Sequence, residues 1–238
     1  MENHLKKIDL NVTQYPKLAN KSSDGAFNYL VLRRLSAHIT SFCLQRGISA
    51  NSATIIDFIL ALFAALSLYM GYLFIGVTLI QLFGVWSCVD GEIARVTKST
   101  SRLGDFYDTM IDRVAEFLIT LALLLHMYKV APDVHWGTIF FAYMGTIFFI
   151  TASSEKFRSV FHKNYPKNDT ELFFRWLCAG SDTRLFYISL GIIGYAISGY
   201  DTIIYWLIIL QTVFLAFNFI FRLWKIPKLI KSAKDFPE

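Results

Sequence analysis

Five acidic residues lie between positions 90 and 112: Asp90, Glu92, Asp105, Asp108 and Asp112. Because Asp108 and Asp112 are four residues apart, a helix would place both carboxylates on one face. A tight turn near residues 98–102 would bring the end of the preceding helix, and with it Asp90, beside them. Converging carboxylates repel one another and need a cation, and hard divalent ions such as Mg²⁺ or Mn²⁺ prefer oxygen ligands. The spacing therefore predicts a site for a divalent ion.

Small and basic residues accompany these acids. Gly91 and Ala94 share a helix face and leave room for a ligand to approach the backbone, while Arg95 could neutralise a phosphate. Mg²⁺ held by carboxylates usually also binds substrate phosphates. The combination favours metal-assisted transfer at phosphorus. The alternative is simple ion pairing, for example between Asp90 and Arg95.

The composition predicts the elements that must position these residues. Of 238 residues, 55% are hydrophobic and only 17% are charged, whereas soluble domains are about 45–50% apolar and about 25% charged. The mean hydropathy is +0.44. These values exclude a disordered chain, a nucleic-acid-binding arm and an ordinary soluble enzyme, and they predict an all-α integral membrane protein. Three widely spaced cysteines support neither a disulfide framework nor a zinc site.

The length accommodates six transmembrane helices of about 20 residues each. Residues 1–23 are polar, residues 24–46 are predicted to form an amphipathic helix in the membrane interface, residues 47–224 contain the spans, and residues 225–238 form a basic cytoplasmic tail. In the amphipathic helix the apolar positions are Leu30, Leu35, Ile39 and Phe42. The predicted spans are 50–70, 73–96, 104–127, 136–158, 182–199 and 201–223.

The basic residues predict the orientation. Every Lys and Arg except Lys129 falls in a segment that would face the same side of the membrane. By the positive-inside rule both termini, and the acidic cluster with them, are cytoplasmic. A soluble helical bundle would not explain this asymmetry. A transporter or channel would distribute its acids through the membrane depth, whereas these acids are confined to the cytoplasmic half.

One long, gapped motif resembles the signature of the CDP-alcohol phosphotransferase (CDP-alcohol phosphatidyltransferase) family. It consists of Asp90, Gly91, Ala94, Arg95, Gly104, Asp108 and Asp112. Shorter strings that begin at Asp24, Asp90 and Ser181 are similar to strings in di-myo-inositol-phosphate-phosphate synthase-like members. The resemblance implies a six-helix homodimer in which 47–224 is the catalytic domain.

The resemblance also implies the reaction. A substituted phosphate group passes from a CDP-alcohol, either CDP-inositol or a CDP-lipid such as CDP-diacylglycerol, to the hydroxyl of a second alcohol, with release of CMP. The implied acceptor is inositol phosphate or a related polyol phosphate. Phospholipid synthesis of the phosphatidylinositol-phosphate or phosphatidylglycerol-phosphate type is the alternative. Asp90, Asp108 and Asp112 would bind Mg²⁺ or Mn²⁺, with Asp112 also the general base. The CDP moiety would be held by Gly91, Ala94, Arg95, Gly104 and Asn51.

The chain departs from the family pattern at one position. The first of the family's four aspartates is replaced here by Ser87, a neutral and weaker ligand for a hard ion. Glu92 and Asp105 are also acidic, but their helical phase points elsewhere. Weaker metal binding is therefore expected, and a one-metal mechanism and a non-catalytic relative that only binds a CDP-alcohol both stay open.

An acceptor that carries a phosphate needs cations near the site. The candidates are Arg34, Lys156, Arg158 and Arg184, which flank the predicted cytoplasmic mouth. The alternative for each of them is a solvated residue or a contact with lipid headgroups.

Overall fold

A computed structural model describes residues 27–132, 135–163 and 165–232, and within these ranges the chain is helical with no strand. The predictions for segment 1–23, for the string that begins at Asp24, and for the end of the basic tail at 233–238 lie outside the described residues.

The helix bounds follow the apolar runs of the sequence. A π-helical turn at Asn28–Leu32 leads into the first helix. The helices are α1 Arg33–Gln45, α2 Ala50–Tyr69, α3 Leu73–Val96, α4 Arg102–Val130, α5 His135–Phe161, α6 Lys167–Thr170, α7 Leu172–Leu177, α8 Ser181–Ser198 and α9 Thr202–Ser232.

Four of the described helices are long and apolar enough to cross a membrane: α2, α3, α5 and the Thr202–Leu229 part of α9. Six spans were predicted. The two remaining candidates are α4 and α8. The first half of α4 carries most of the site's charged residues, and α8 has only 18 residues and begins with Asp182 and Arg184. Apart from Lys129 near the end of α4, their charges lie in the first half of each helix and lower its mean hydropathy, although the second half is mostly apolar.

Short turns with defined caps join the helices around the site. Gly71 ends the α2–α3 turn with φ +85°, a left-handed conformation that favours glycine. Lys98 adopts φ 54° between α3 and α4, and Ser101 caps α4 by accepting a hydrogen bond from the Gly104 N–H at 3.0 Å. The tight turn predicted at 98–102 is therefore present, and it places the end of α3 beside the start of α4.

The core packs α2 between α3 and α4. Ala61 and Ala64 on α2 are fully buried against Ile80 of α3 and Ile119 of α4. Small side chains let helix backbones approach closely, which is the usual packing of helices in membranes. The three helices that carry the acidic motif and its surroundings thus form one rigid unit.

Helix α1 is fixed to α3 by a buried acid. Glu92 is 1% exposed and accepts hydrogen bonds from Ser36 at 2.8 Å, Thr40 at 2.6 Å and Arg33 at 2.8 Å. The opposite side of α1 exposes Leu35 and Phe42, each about half exposed. Glu92 therefore points away from the acidic motif, as its helical phase predicts, and serves to dock α1.

Candidate functional site

A cavity of about 250 Å³ lies between α2, α3 and α4, beside the α3–α4 turn. We call it the smaller cavity. All the residues that the sequence predicts to hold a CDP moiety line it: Asn51, Gly91, Ala94, Arg95 and Gly104. Asp90 and Asp108 also line it, together with the hydroxyl-bearing residues Thr54, Ser99, Thr100 and Ser101. The elements α2, α3 and α4 therefore bring the small, the basic and the acidic parts of the motif to one place.

Gly91 allows Arg95 to fold back along α3. A Cβ atom at Gly91 would lie 3.1 Å from Nη1 of Arg95, tighter than ordinary van der Waals contact. The other terminal nitrogen of Arg95, Nη2, is buried and has no hydrogen-bond partner in the described part of the chain. An unpaired guanidinium N–H that lines a cavity is suited to receive a phosphate oxygen.

The three predicted carboxylates lie near one another. Asp90 accepts a hydrogen bond from the Thr54 hydroxyl at 2.8 Å, Asp112 accepts one from the Ser87 hydroxyl at 3.3 Å, and the charges of Asp108 and Asp90 act on Asp112. However, no three His, Cys, Asp or Glu side chains among the described residues form a group that could hold a metal ion. The sequence predicts that three carboxylates converge on one point. In the structure their charges act on one another, but the three do not form such a group.

Asp57 is a fourth acid that the sequence analysis did not place in the site. It lies on α2, is 2% exposed, and the charges of Asp112, Asp90 and Asp108 all act on its carboxylate. Its Oδ1 atom is buried without a hydrogen-bond partner in the described ranges. The available signal was a lone Asp inside an apolar run, since acids within spans are usually functional.

A larger cavity of about 520 Å³ adjoins the smaller one. Asp105 and Asp108 line both cavities, so these residues form a shared wall. Ser87 and Asp112 face the larger cavity only. Its basic lining residues are Arg33, Arg113, Arg158, Lys167 and Arg184. Its acidic lining residues are Asp105, Asp108, Asp112, Glu155 and Asp182. A space lined by both signs of charge can take an anionic ligand and also hold a cation near the acids.

The four cations predicted for an acceptor phosphate fall in different places. Arg158 lines the larger cavity and pairs with Asp105 at 2.6 Å. Arg184 also lines it, but its guanidinium makes hydrogen bonds of 2.6 and 2.8 Å to Glu116. Arg34 and Lys156 are exposed and are absent from the described lining of both cavities.

Lys167 is a basic lining residue that the sequence analysis did not single out. It lies on the short helix α6, between the predicted spans. Burial, together with the nearby guanidinium groups of Arg222, Arg113 and Arg184, lowers the pKa of Lys167 to about 8. Its ammonium group therefore lies near three guanidinium groups as well as the Glu171 carboxylate, and an arriving phosphate would offset the repulsion among the cations. The signal in the sequence was only its place in a basic connection.

Two buried ion pairs hold together helices, most of which contribute residues to the lining of the larger cavity. Glu116 binds Arg184 on α8 and also accepts a hydrogen bond from Arg113 at 2.8 Å. Arg222 of α9 is fully buried and donates to Glu171 at 2.8 Å and to the backbone carbonyl of Ile150 on α5 at 2.9 Å. The first pair joins α4 to α8. Arg222 joins α9 to Glu171, between α6 and α7, and through the Ile150 carbonyl to α5.

Comparisons with known proteins agree with the motif. A family model described as CDP-alcohol phosphatidyltransferase matches residues 48–224. A bifunctional IPC transferase and DIPP synthase from Aquifex aeolicus is 27% identical over 165 residues, which is 69% of this chain and 37% of that protein. A phosphatidylinositol phosphate synthase from Streptomyces avermitilis is 36% identical over 84 residues, covering 35% of this chain and 34% of that protein. The chain thus spans little more than a third of these relatives' length.

The fold resembles a solved structure. The Mycobacterium tuberculosis phosphatidylinositol phosphate synthase with CDP-DAG bound has a TM-score of 0.64 to this chain at 19% identity, covering 80% of this chain and 92% of that one. A second structure of the same enzyme, in complex with manganese and citrate, has a TM-score of 0.61 at 18% identity and covers 79% of this chain and 87% of that one.

Proposed function

Because this chain belongs to the CDP-alcohol phosphatidyltransferase family, we propose that it transfers a substituted phosphate group from a CDP-alcohol to the hydroxyl of a second alcohol and releases CMP. The observation that carries this proposal is the pair of adjoining cavities that share Asp108. The motif residues proposed to bind CDP line the smaller cavity. Asp112 and five basic residues line the larger one. The donor is CDP-inositol or a CDP-lipid, and the acceptor is inositol phosphate.

Each motif residue has a role in this proposal. Asp112 removes the proton from the acceptor hydroxyl, whose oxygen then attacks the phosphorus next to the donor alcohol. Arg95 binds a phosphate oxygen of the CDP moiety through its unpaired N–H. Asp90, Asp108 and Asp112 are suited to hold Mg²⁺ or Mn²⁺, because their charges act on one another and a cation would offset that repulsion. When bound, the ion would supply charge neutralisation at the pyrophosphate.

The membrane arrangement is part of the proposal. Residues 47–224 form the catalytic domain with six spans, α4 and α8 being added to the four helices that qualify by length and hydropathy. Both termini and the two cavities face the cytoplasm, as the distribution of basic residues suggests. Helix α1 lies in the interface, with Leu35 and Phe42 toward lipid. The active unit is a homodimer, as in the family.

A lipid donor is the second candidate within this reaction class. The relative from Streptomyces avermitilis is named a phosphatidylinositol phosphate synthase, and this name favours a CDP-lipid donor with an inositol phosphate acceptor. In contrast, the relative from Aquifex aeolicus is named an IPC transferase and DIPP synthase, which favours CDP-inositol. The two candidates differ in the donor alcohol and share the site.

The decisive experiment measures CMP release by the purified protein in detergent. CDP-inositol and CDP-diacylglycerol are offered separately, each with inositol phosphate and with Mg²⁺ or Mn²⁺. We expect metal-dependent CMP release with one donor, and removal of the ion by EDTA should abolish it. Folded protein that releases CMP from neither donor, with either ion present, would contradict the proposed function.

Gly91 provides a test of the smaller cavity. In Gly91→Ala the new methyl group displaces the Arg95 guanidinium, so we expect the KM for the CDP-alcohol to rise about tenfold, the equivalent of about 1.4 kcal/mol, with little change in kcat. The matched control is Gly145→Ala, because a Cβ there would meet no atom within 4 Å. Equal KM values for the two variants would exclude this role of Gly91.

A further inference from the structure

Ser87 stands on α3 where the family motif has its first aspartate, so α3 lacks one of the four carboxylates of that motif. Helices α2 and α3 run antiparallel through a short turn, and the hydrogen bond from Thr54 to Asp90 fixes their register at the site. Asp57 follows Thr54 by three residues, and Ser87 precedes Asp90 by three residues. One helical turn contains 3.6 residues. Asp57 and Ser87 therefore lie about one turn from this hydrogen bond in the same direction, on facing sides of the two helices.

Asp57 and Ser87 have Asp112 as a common neighbour. The Ser87 hydroxyl donates a hydrogen bond to Asp112 at 3.3 Å. Of the three acids whose charges act on Asp57, Asp112 has the largest effect. Asp90 and Asp108 are the other two. All three motif aspartates thus act on Asp57.

The surroundings of Asp57 leave one of its oxygens unsatisfied. The side chain is 2% exposed, and Oδ1 has no donor in the described part of the protein. Leaving a buried polar group unpaired is costly, and more so when the group is charged. The charges from the described residues that act on it are those of three acids. These neighbouring acids are the ones proposed to hold the divalent ion.

We propose that Asp57 supplies from α2 the carboxylate that position 87 lacks on α3, and so completes the divalent-ion site with Asp90, Asp108 and Asp112. This inference rests on the metal site in the proposed function. It assigns the role of metal ligand to Asp57, a residue outside the family motif. It also means that Ser87 does not disable the site, because the fourth carboxylate has moved to the facing helix.

The test measures Mn²⁺ binding to the purified protein in detergent without substrates, from the loss of the electron paramagnetic resonance signal of free Mn²⁺. We expect Asp57→Asn, which keeps the side-chain shape, and Asp57→Ser to weaken Mn²⁺ binding by about tenfold or more. In Asp57→Ser/Ser87→Asp the carboxylate returns to α3, and binding should recover to within a few-fold of the wild type. Asp201→Asn, in the α8–α9 turn, is the matched control and should bind Mn²⁺ normally.

Thermal unfolding with and without Mn²⁺ provides the second readout. Without the ion, Asp57→Asn should unfold at or above the wild-type temperature, because it removes a buried carboxyl group that lies among three other acids. The stabilisation that Mn²⁺ gives the wild type should be reduced in this variant. Unchanged Mn²⁺ affinity in both single variants, or failure of the double variant to recover, would overturn the inference.

The two proposals can fail separately. If Mn²⁺ binds and its binding depends on Asp57, but no donor yields CMP, the proposed function is wrong and the metal ligand stands. If CMP release depends on the ion, but Asp57→Asn leaves both Mn²⁺ affinity and turnover unchanged, the function stands and the ligand assignment is wrong.

Discussion

Asp112→Ala lowers the rate of CMP release by about 10²–10⁴-fold, the usual contribution of a general base, while the affinity for the CDP-alcohol changes little: this is the largest effect that we expect on activity. Asp112 lines the larger cavity, whereas the residues proposed to bind CDP line the smaller one. The side chain removes a proton only from the acceptor, so its loss should affect kcat more than donor binding. Measurement of kcat and of donor Kd separates the two quantities.

The control for this experiment is Asp201→Asn, which removes an acid in the α8–α9 turn that lines neither of the two cavities. Because Asp112 is also a proposed ion ligand, Mn²⁺ affinity must be measured for Asp112→Ala, and turnover must be compared at saturating ion. Near-normal turnover under those conditions would show that another group accepts the proton. Loss of donor binding together with turnover would assign Asp112 to binding instead of proton transfer.

The largest expected effect on stability comes from Arg222. Its guanidinium is fully buried, pairs with Glu171 and also binds the backbone carbonyl of Ile150. In Arg222→Met the Glu171 carboxylate remains buried without its partner, so we expect the free energy of unfolding to fall by about 3–5 kcal/mol. Thermal unfolding in detergent, followed by circular dichroism, measures the change. The matched control is Lys225→Met, which removes a positive charge one turn later on the same helix.

A double variant shows whether the loss arises from the unpaired charge. In Arg222→Met/Glu171→Met both charges of the pair are removed, and replacing a whole buried pair by apolar residues is often neutral or stabilising. We therefore expect the double variant to be more stable than Arg222→Met alone. If the double variant is no more stable than that single variant, the hydrogen bond to Ile150 and the packing of Arg222 would account for the loss.

The sequence predicts the apolar helices well, because their ends are set by local signals. The predicted spans 50–70 and 73–96 agree with α2 and α3 to within a residue. Hydropathy and the Gly71 turn are sufficient to place them. For α4, the prediction began at Gly104, whereas the helix begins at Arg102 because Ser101 provides the cap. Charged residues in the first half of α4 and at the start of α8 lower their mean hydropathy. Hydropathy alone therefore does not place these two helices among those that could cross a membrane.

The site is predictable where its residues lie on adjacent, consecutive elements. Gly91, Arg95 and Gly104 line one cavity because a short turn joins α3 to α4. Side-chain partners from distant parts of the chain are not predictable in this way. The pairing of Arg184 with Glu116 joins residues 68 positions apart, and no pattern within either helix shows it.

Asp57 and Arg34 illustrate the same limit. Asp57 could not be assigned to the site from α2 alone, because its place depends on the register between α2 and α3. Arg34 was predicted to face the site, but its neighbour Arg33 lines the larger cavity. Adjacent residues on a helix point about 100° apart, so an error of one residue in the phase of α1 selects the wrong arginine.

The wall that the two cavities share has a consequence for the order of events in catalysis. Under the proposed reaction, the donor and the acceptor occupy separate spaces that meet at Asp105 and Asp108. Neither substrate has to leave before the other enters, so both can be bound at once. The phosphate group then passes directly between them, through a ternary complex, and the enzyme needs no covalent intermediate of its own.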